Sequence, residues 1–180
     1  MFRTARARGR WVATAPIAMA LGLVLLSSCS SGEVPRIVAE RSPLPSLQGS
    51  SLSGPTVEPN LYQGRVLVVN FWASWCWPCR TEQPALQDVY QRYRAEGVRF
   101  VGVNWRDQSA AAKDWIRRFG VTYPNVFDPS GAVGASFAIR GAPDTYIVDR
   151  TGTIRYAVFG AASASEISGL IQRVLEQAPS

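Results

Sequence analysis

Histidine is absent from this chain of 180 residues, and cysteine occurs only three times, at Cys29, Cys76 and Cys79. A zinc site normally takes four ligands drawn mainly from those two residue types, so no metal centre is expected, and nothing in the sequence asks for a cofactor. Long apolar runs are scarce too. The one at residues 11–26 falls short of the roughly 20 residues that a spanning helix needs. No internal repeat is visible. Even the basic excess is smaller than it looks: the formal net charge is +6, but Arg3, Arg6, Arg8 and Arg10 sit at the extreme N-terminus, and the other 15 basic residues face 13 acidic ones. Basic residues gathered ahead of an apolar stretch belong to targeting, not to nucleic-acid binding.

What is present at the N-terminus has the layout of a secretory signal peptide over residues 1–28: a basic start, an apolar middle and small residues at the close. It ends in Leu26-Ser27-Ser28-Cys29, which resembles the bacterial lipobox, whose cysteine is acylated and becomes the first residue of the mature protein. An ordinary cleaved signal with a free Cys29, or an uncleaved anchor, would leave the same pattern. Residues 29–45 are rich in Ser, Pro and Gly, carry mixed charge without hydrophobic period, and read as a flexible tether. Residues 46–180 of a chain that is 47% hydrophobic suffice for one core and therefore one domain. A monomer is expected.

That domain is organised around residues 66–86. Val66-Leu67-Val68-Val69-Asn70-Phe71-Trp72 has the β-branched, apolar composition of a buried strand, and the residues from Cys79 onward have that of a helix. Cys76 therefore falls at a helix N-terminus, where unpaired N–H groups and the positive end of the dipole favour thiolate over thiol; it is the expected nucleophile. Cys79, one turn on, is placed to attack a mixed disulfide formed at Cys76. A purely structural disulfide across so short a loop would add little, since loop-entropy stabilisation grows with loop length. A redox dithiol is the better reading.

The series Asn70-Phe71-Trp72-Ala73-Ser74-Trp75-Cys76-x-Pro78-Cys79-Arg80-x-Glu82, with Pro84 behind it, resembles the thioredoxin superfamily. Within it the likeness is to the membrane-anchored TlpA/ResA/CcmG branch that acts in bacterial cytochrome c maturation. Residues 102–107 and 141–149 look most like the CcmG side. The resemblance runs from about residue 47 to the last helix. It implies an α/β, thioredoxin-like fold: a central mixed β-sheet flanked by helices, with an N-terminal β-hairpin extension from residues 47–65. It also implies that Pro143 is the cis-proline lying against the active-site disulfide, presenting the Ala142 backbone to an extended substrate segment. An ordinary trans turn proline is the alternative.

By the same resemblance Trp72 and Trp75 pack around the disulfide. Asn70 stands where thioredoxin has a buried Asp that relays a proton, and an amide cannot titrate. Glu82, three residues after Cys79 and so near it on the helix, is the candidate replacement, the ResA-like branch having an acid there; otherwise it is a first-turn acid favoured by the helix dipole. Trp77 is either a partly exposed binding anchor or a shield for the disulfide. Asp107, Asp128, Asp144 and Asp149 read as capping and turn residues.

Further along, a strand is expected at residues 98–103, then a helix capped by Ser109, with Ala112, Trp115, Ile116 and Phe119 on one stripe and Gly120 as its end. Residues 125–127, a short apolar helix to about residue 137, a hairpin turning at Arg150-Thr151-Gly152, and a last helix opened by Ser163 and Glu166 in capping-box spacing complete the chain. Strands alternating with helices imply parallel pairing with right-handed crossovers.

The function this implies is an extracytoplasmic, lipid-anchored thiol-disulfide reductase at the bacterial cell membrane. Its client would be a protein dithiol such as the haem-attachment cysteines of apocytochrome c, and a membrane electron donor of the CcdA/DsbD type would re-reduce it. A disulfide-forming oxidase is an alternative that the motif leaves open, since direction depends on the reduction potential. A non-catalytic docking module is a third, against which the intact Cys76, Cys79 and Pro143 argue.

Overall fold

The computed structural model describes residues 34–177. The signal at 1–28, Cys29 and tether residues 30–33 lie outside the described residues. The rest of the tether is corrected: β1 (Arg36–Pro43) is a strand, paired antiparallel with β6 (Thr153–Phe159) and shifted in register between Ala39 and Ser42. Its own composition gives no sign of this. An edge strand needs one good neighbour rather than a hydrophobic period, and β6 supplies the hydrogen bonds.

The other strands are β2 (Leu67–Trp72), β3 (Arg99–Trp105), β4 (Asn125–Asp128) and β5 (Asp144–Val148), in the spatial order β1-β6-β5-β2-β3-β4. β2, β3 and β4 are parallel; β5 is antiparallel to both β2 and β6, so the sheet is mixed. The helices are α1 (Trp77–Tyr93), α2 (Ser109–Phe119), α3 (Ala132–Ser136) and α4 (Ala164–Glu176). None of these is long and apolar enough to cross a membrane.

Every residue of β2 is buried, because both sheet faces are covered. Val68 and Trp72 pack with Leu86 and Val89 of α1, Trp115 of α2 and Ile167 and Ile171 of α4. Leu67, Val69 and Phe71 point the other way, onto Leu47, Val57, Tyr62 and Phe137. This period of two sends Asn70 to the same face as Val68 and Trp72, beneath α1. Burying side chains of this size contributes roughly 1.5–3 kcal/mol each, so the strand that carries the motif is firmly fixed from both faces.

The expected N-terminal hairpin shrinks to one antiparallel bridge between Gly49 and Val57, after which Pro59–Leu61 form a single 3₁₀ turn. Leu47 and Val57 are wholly buried in this segment, which is also tied to β4: Ser51 bridges Val126, the Leu52 N–H donates to the Asn125 carbonyl at 2.9 Å and the Phe127 N–H to the Ser50 carbonyl at 2.8 Å. Ser109 does not cap α2: Gln108 is the N-cap, without a side-chain bond, and Ser109 is the first helical residue. Gly120, left-handed at φ 59°, ends that helix as expected. α4 has the full capping box, Glu166 N–H to Ser163 Oγ and Ser163 N–H to Glu166 Oε2.

Candidate active site

The end of β2 turns through residues 73–76 into α1, and Cys76 is the N-cap of that helix. Its turn is fixed from outside: Asp107 accepts from the Ser74 N–H at 2.6 Å and the Ser74 hydroxyl at 2.8 Å, and also from Asn104 and the Gln108 N–H. Burial alone would raise the Asp107 carboxyl, but these hydrogen bonds outweigh it and hold the group below its ordinary value. Asp107 thus caps neither helix: it ties the Ser74 turn to the residues just before α2. Its reach to Ser74, 33 positions away, was not legible in the sequence.

Cys76 and Cys79 form a disulfide, with Cα atoms 5.3 Å apart. The Cys79 N–H donates to Cys76 Sγ at 3.1 Å, so a free donor of the first helical turn is aimed at the sulfur. On the other side, Cys76 Sγ lies 3.3 Å from the Ala142 carbonyl oxygen. The Ala142–Pro143 peptide is cis, and the Pro143 carbonyl accepts from the Gly160 N–H at 2.9 Å, fixing this loop to β6. Pro78 occupies the second helical position, where no intrahelical N–H is required. Both sulfur-bearing residues are covered, Cys76 at 3% exposure and Cys79 at 2%. What separates them is position on the helix, not depth.

Glu82 is the sixth residue of α1, past the first turn, and is buried, so the dipole explanation does not apply to it. Its Oε1 accepts from the Ala162 N–H at 2.9 Å and its Oε2 from the Asn70 amide at 3.2 Å. Burial pushes its carboxyl up to about 7 against those two bonds, with the Asp144 charge adding to the rise. Asn70 also donates to Thr145 Oγ1 at 2.9 Å. Asp144, read from sequence as a turn residue, is instead buried at the head of β5, where burial lifts it to about 6.

The tryptophans divide. Trp72 is buried in the cluster that holds both cysteines, donates to Asn125 Oδ1 at 2.8 Å and stacks on Trp115 at 5.4 Å. Trp75, expected to pack around the disulfide, is 57% exposed, its indole N–H spent on the Arg106 carbonyl at 3.1 Å. Trp77 is 73% exposed with the Arg80 guanidinium over its ring, which fits the anchor reading better than the shield. Trp115, Arg80, Thr145 and Ala162 complete the site. The sequence marks Trp115 only as part of an apolar stripe, Arg80 only as part of the motif, Thr145 only within residues 141–149 and Ala162 not at all, because Trp115, Thr145 and Ala162 reach the site from distant segments.

A disulfide whose Cys76 caps a helix N-terminus, with a buried carboxyl three residues beyond Cys79 on that helix, is equipped for thiol-disulfide exchange. Residues 41–157 match the AhpC/TSA family model. The chain belongs to the AhpC/TSA family. Among its relatives are the thiol:disulfide interchange protein HelX of Rhodobacter capsulatus, 31% identical over 140 residues and 77% of each chain, and the thiol:disulfide interchange protein DsbE of Allochromatium vinosum, 35% identical over 136 residues and 74% of each. The solved structure of a DsbF homologue from Corynebacterium diphtheriae matches with TM-score 0.70 and 27% identity, covering 80% of this chain and 95% of that one. A secreted Mycobacterium tuberculosis disulfide oxidoreductase homologous to Escherichia coli DsbE matches with TM-score 0.65 and 26% identity over 71% and 95%. Within the AhpC/TSA family this is accordingly a thioredoxin-like, Cys-x-x-Cys member, a thiol-disulfide oxidoreductase.

Proposed function

We propose that the chain works outside the cytoplasm, held to the membrane by acylated Cys29, as a reductase of protein disulfides. Its client is the haem-attachment cysteine pair of apocytochrome c, and a membrane electron donor of the CcdA/DsbD type restores its dithiol. The resemblance to the ResA/CcmG branch supports the client and the direction. The observation that carries the chemistry is the placement of Cys76 Sγ, between the Cys79 N–H and the Ala142 carbonyl.

In the reduced protein the Cys76 thiolate attacks one sulfur of the client disulfide. That bond breaks, a mixed disulfide forms and one client thiolate leaves, taking a proton from solvent. The backbone of Ala142, held by Pro143, offers its carbonyl to the client strand beside Cys76. Cys79 then loses its proton to the Glu82 carboxylate, three residues on along the same helix face. Its thiolate attacks the Cys76 sulfur, closes the Cys76–Cys79 disulfide and releases the second client thiolate. Two electrons have passed to the client, and Glu82 returns its proton to solvent.

Trapping tests this order and direction together. Cys79→Ala in the full chain should accumulate mixed disulfides with a haem-attachment client and with the membrane donor, whereas Cys76→Ala should accumulate few. The purified couple should be clearly more reducing than that of DsbA, at about −120 mV. A couple as oxidising as that, with many unrelated secreted proteins trapped, would establish an oxidase instead.

A further inference from the structure

We propose that the disulfide is flanked by a docking surface for acidic protein segments, formed by Trp77 with Arg80 and Trp75 with Arg106. It rests on the reading that the chain exchanges disulfides with protein clients, and it adds what those clients carry next to the reacting cysteine.

Arg80 is the central observation. Its guanidinium lies 5.8 Å from the centre of the exposed Trp77 ring and 5.4 Å from that of Trp115, which is buried and stacked on Trp72. Its Nε is buried with no hydrogen-bond partner, and among the described residues no carboxylate forms an ion pair with it. A cation in the first turn of a helix opposes the dipole, so local electrostatics do not account for it. What the stack does is hold a planar, poorly hydrated guanidinium in a fixed orientation, the arrangement suited to two-point recognition of a carboxylate.

A second pair repeats the pattern. The Arg106 guanidinium lies 5.0 Å over the Trp105 ring, Trp105 is 6.1 Å from Trp75, and Trp75 donates to the Arg106 carbonyl. The acid next in sequence, Asp107, already accepts from Ser74 twice, from Asn104 and from Gln108, and makes no ion pair with Arg106. Two guanidinium groups backed by indole rings therefore stand without a counter-charge, Arg80 one residue after Cys79 and Arg106 tied through its carbonyl to Trp75, the residue before Cys76; Trp with Arg is the composition of interface hot spots. Anionic lipid could answer the same charge. A bilayer pressed onto both pairs would also cover the disulfide, whereas a peptide laid across it brings its own cysteine to Cys76.

The test uses the oxidised full chain and two short peptides in which serine replaces the client cysteine, one flanked by Glu and the other by Gln, with binding followed by tryptophan fluorescence. The Glu peptide should bind about tenfold more tightly at low ionic strength, with the difference shrinking as salt rises. Arg80→Gln and Arg106→Gln should each bring the Glu-to-Gln ratio down by about threefold or more, and Trp77→Ala should weaken both peptides. Equal binding of the two peptides, a ratio that neither arginine variant changes, or a response to phosphatidylglycerol vesicles but not to the Glu peptide would overturn the proposal. Cysteine-containing versions separate it from the reading beneath it. Glu-selective binding without exchange leaves the docking surface standing and removes the redox reading; exchange at the same rate for both peptides does the reverse.

Discussion

Asn70 donates its side-chain amide to Glu82 at 3.2 Å, both residues being buried between β2 and α1. The Asn70 carbonyl oxygen has no partner. An amide can answer either protonation state of its neighbour: its NH₂ serves the carboxylate, and its oxygen, turned over, would accept from the protonated acid. A carboxylate at position 70 could do only the second. On the proposed proton transfer by Glu82, Asn70, which cannot itself titrate, is the partner able to serve both states of that carboxyl.

Glu82→Gln should flatten the pH dependence of thiol reactivity between about 6 and 8, where a carboxyl raised to about 7 changes charge, while leaving the fold intact. Alkylation rates of the reduced protein across pH measure this, and a profile like that of the parent would remove Glu82 from proton transfer. Stability should respond as well. Between the ordinary value of 4.5 and about 7 the folded state holds a proton that the unfolded state has released. The Glu82 contribution to stability therefore falls as pH rises through that window, by up to about 3 kcal/mol. The Gln variant should lose most of that slope. The part due to Asp144, shifted in the same direction, remains.

Asn70→Asp would set a second carboxyl against Glu82 in a buried site. The expected loss is about 2–4 kcal/mol at pH 8 and distinctly less at pH 5, where one or both groups are protonated. Urea denaturation at the two pH values decides it. An equal loss at both would show that the two side chains are not electrostatically coupled.

Gly102→Ala should destabilise by about 1–3 kcal/mol through overpacking. A Cβ on Gly102 would overlap the Asn125 side chain, which cannot swing away because it accepts from Trp72 and donates to the Tyr123 carbonyl. Since Trp72 shares a cluster with both cysteines, the variant should also disturb its fluorescence. An unshifted denaturation midpoint would contradict this account.

Cys29→Ala should change membrane retention or processing if that residue carries lipid. Unchanged processing, together with no lipid label on the parent protein, would refute the anchor.

The strand-to-helix joint, the cysteine pair, the Gly120 stop and the Ser163–Glu166 box were legible because each is written within a few consecutive residues. β1 was not, because a strand at the sheet's edge owes its form to β6, more than a hundred positions away. The hairpin, which the resemblance implied, is reduced to one bridge because the residues between Gly49 and Val57 bond instead to β4, through Ser50 and Leu52, while Leu47 and Val57 pack on the sheet face. Glu82 shows the limit most clearly. Its spacing from Cys79 marked it as a candidate, yet the burial and the Ala162 N–H that set its chemistry come from 80 residues downstream.

The early start of β1 also governs reach. Arg36 stands in register with Phe159, Phe159 with Asp144, and Asp144 with Phe71, so the described chain enters the sheet at the end where β2 delivers the disulfide. On the proposed anchoring, residues 30–35 are all that remains of the leash, spanning at most about 20 Å. A leash so short turns encounters with an embedded partner into a search over a few nanometres, at effective concentrations on the order of millimolar. Free secreted proteins must compete against that local excess. Selectivity for partners in or near the bilayer would then follow from chain length alone, before any side chain is read.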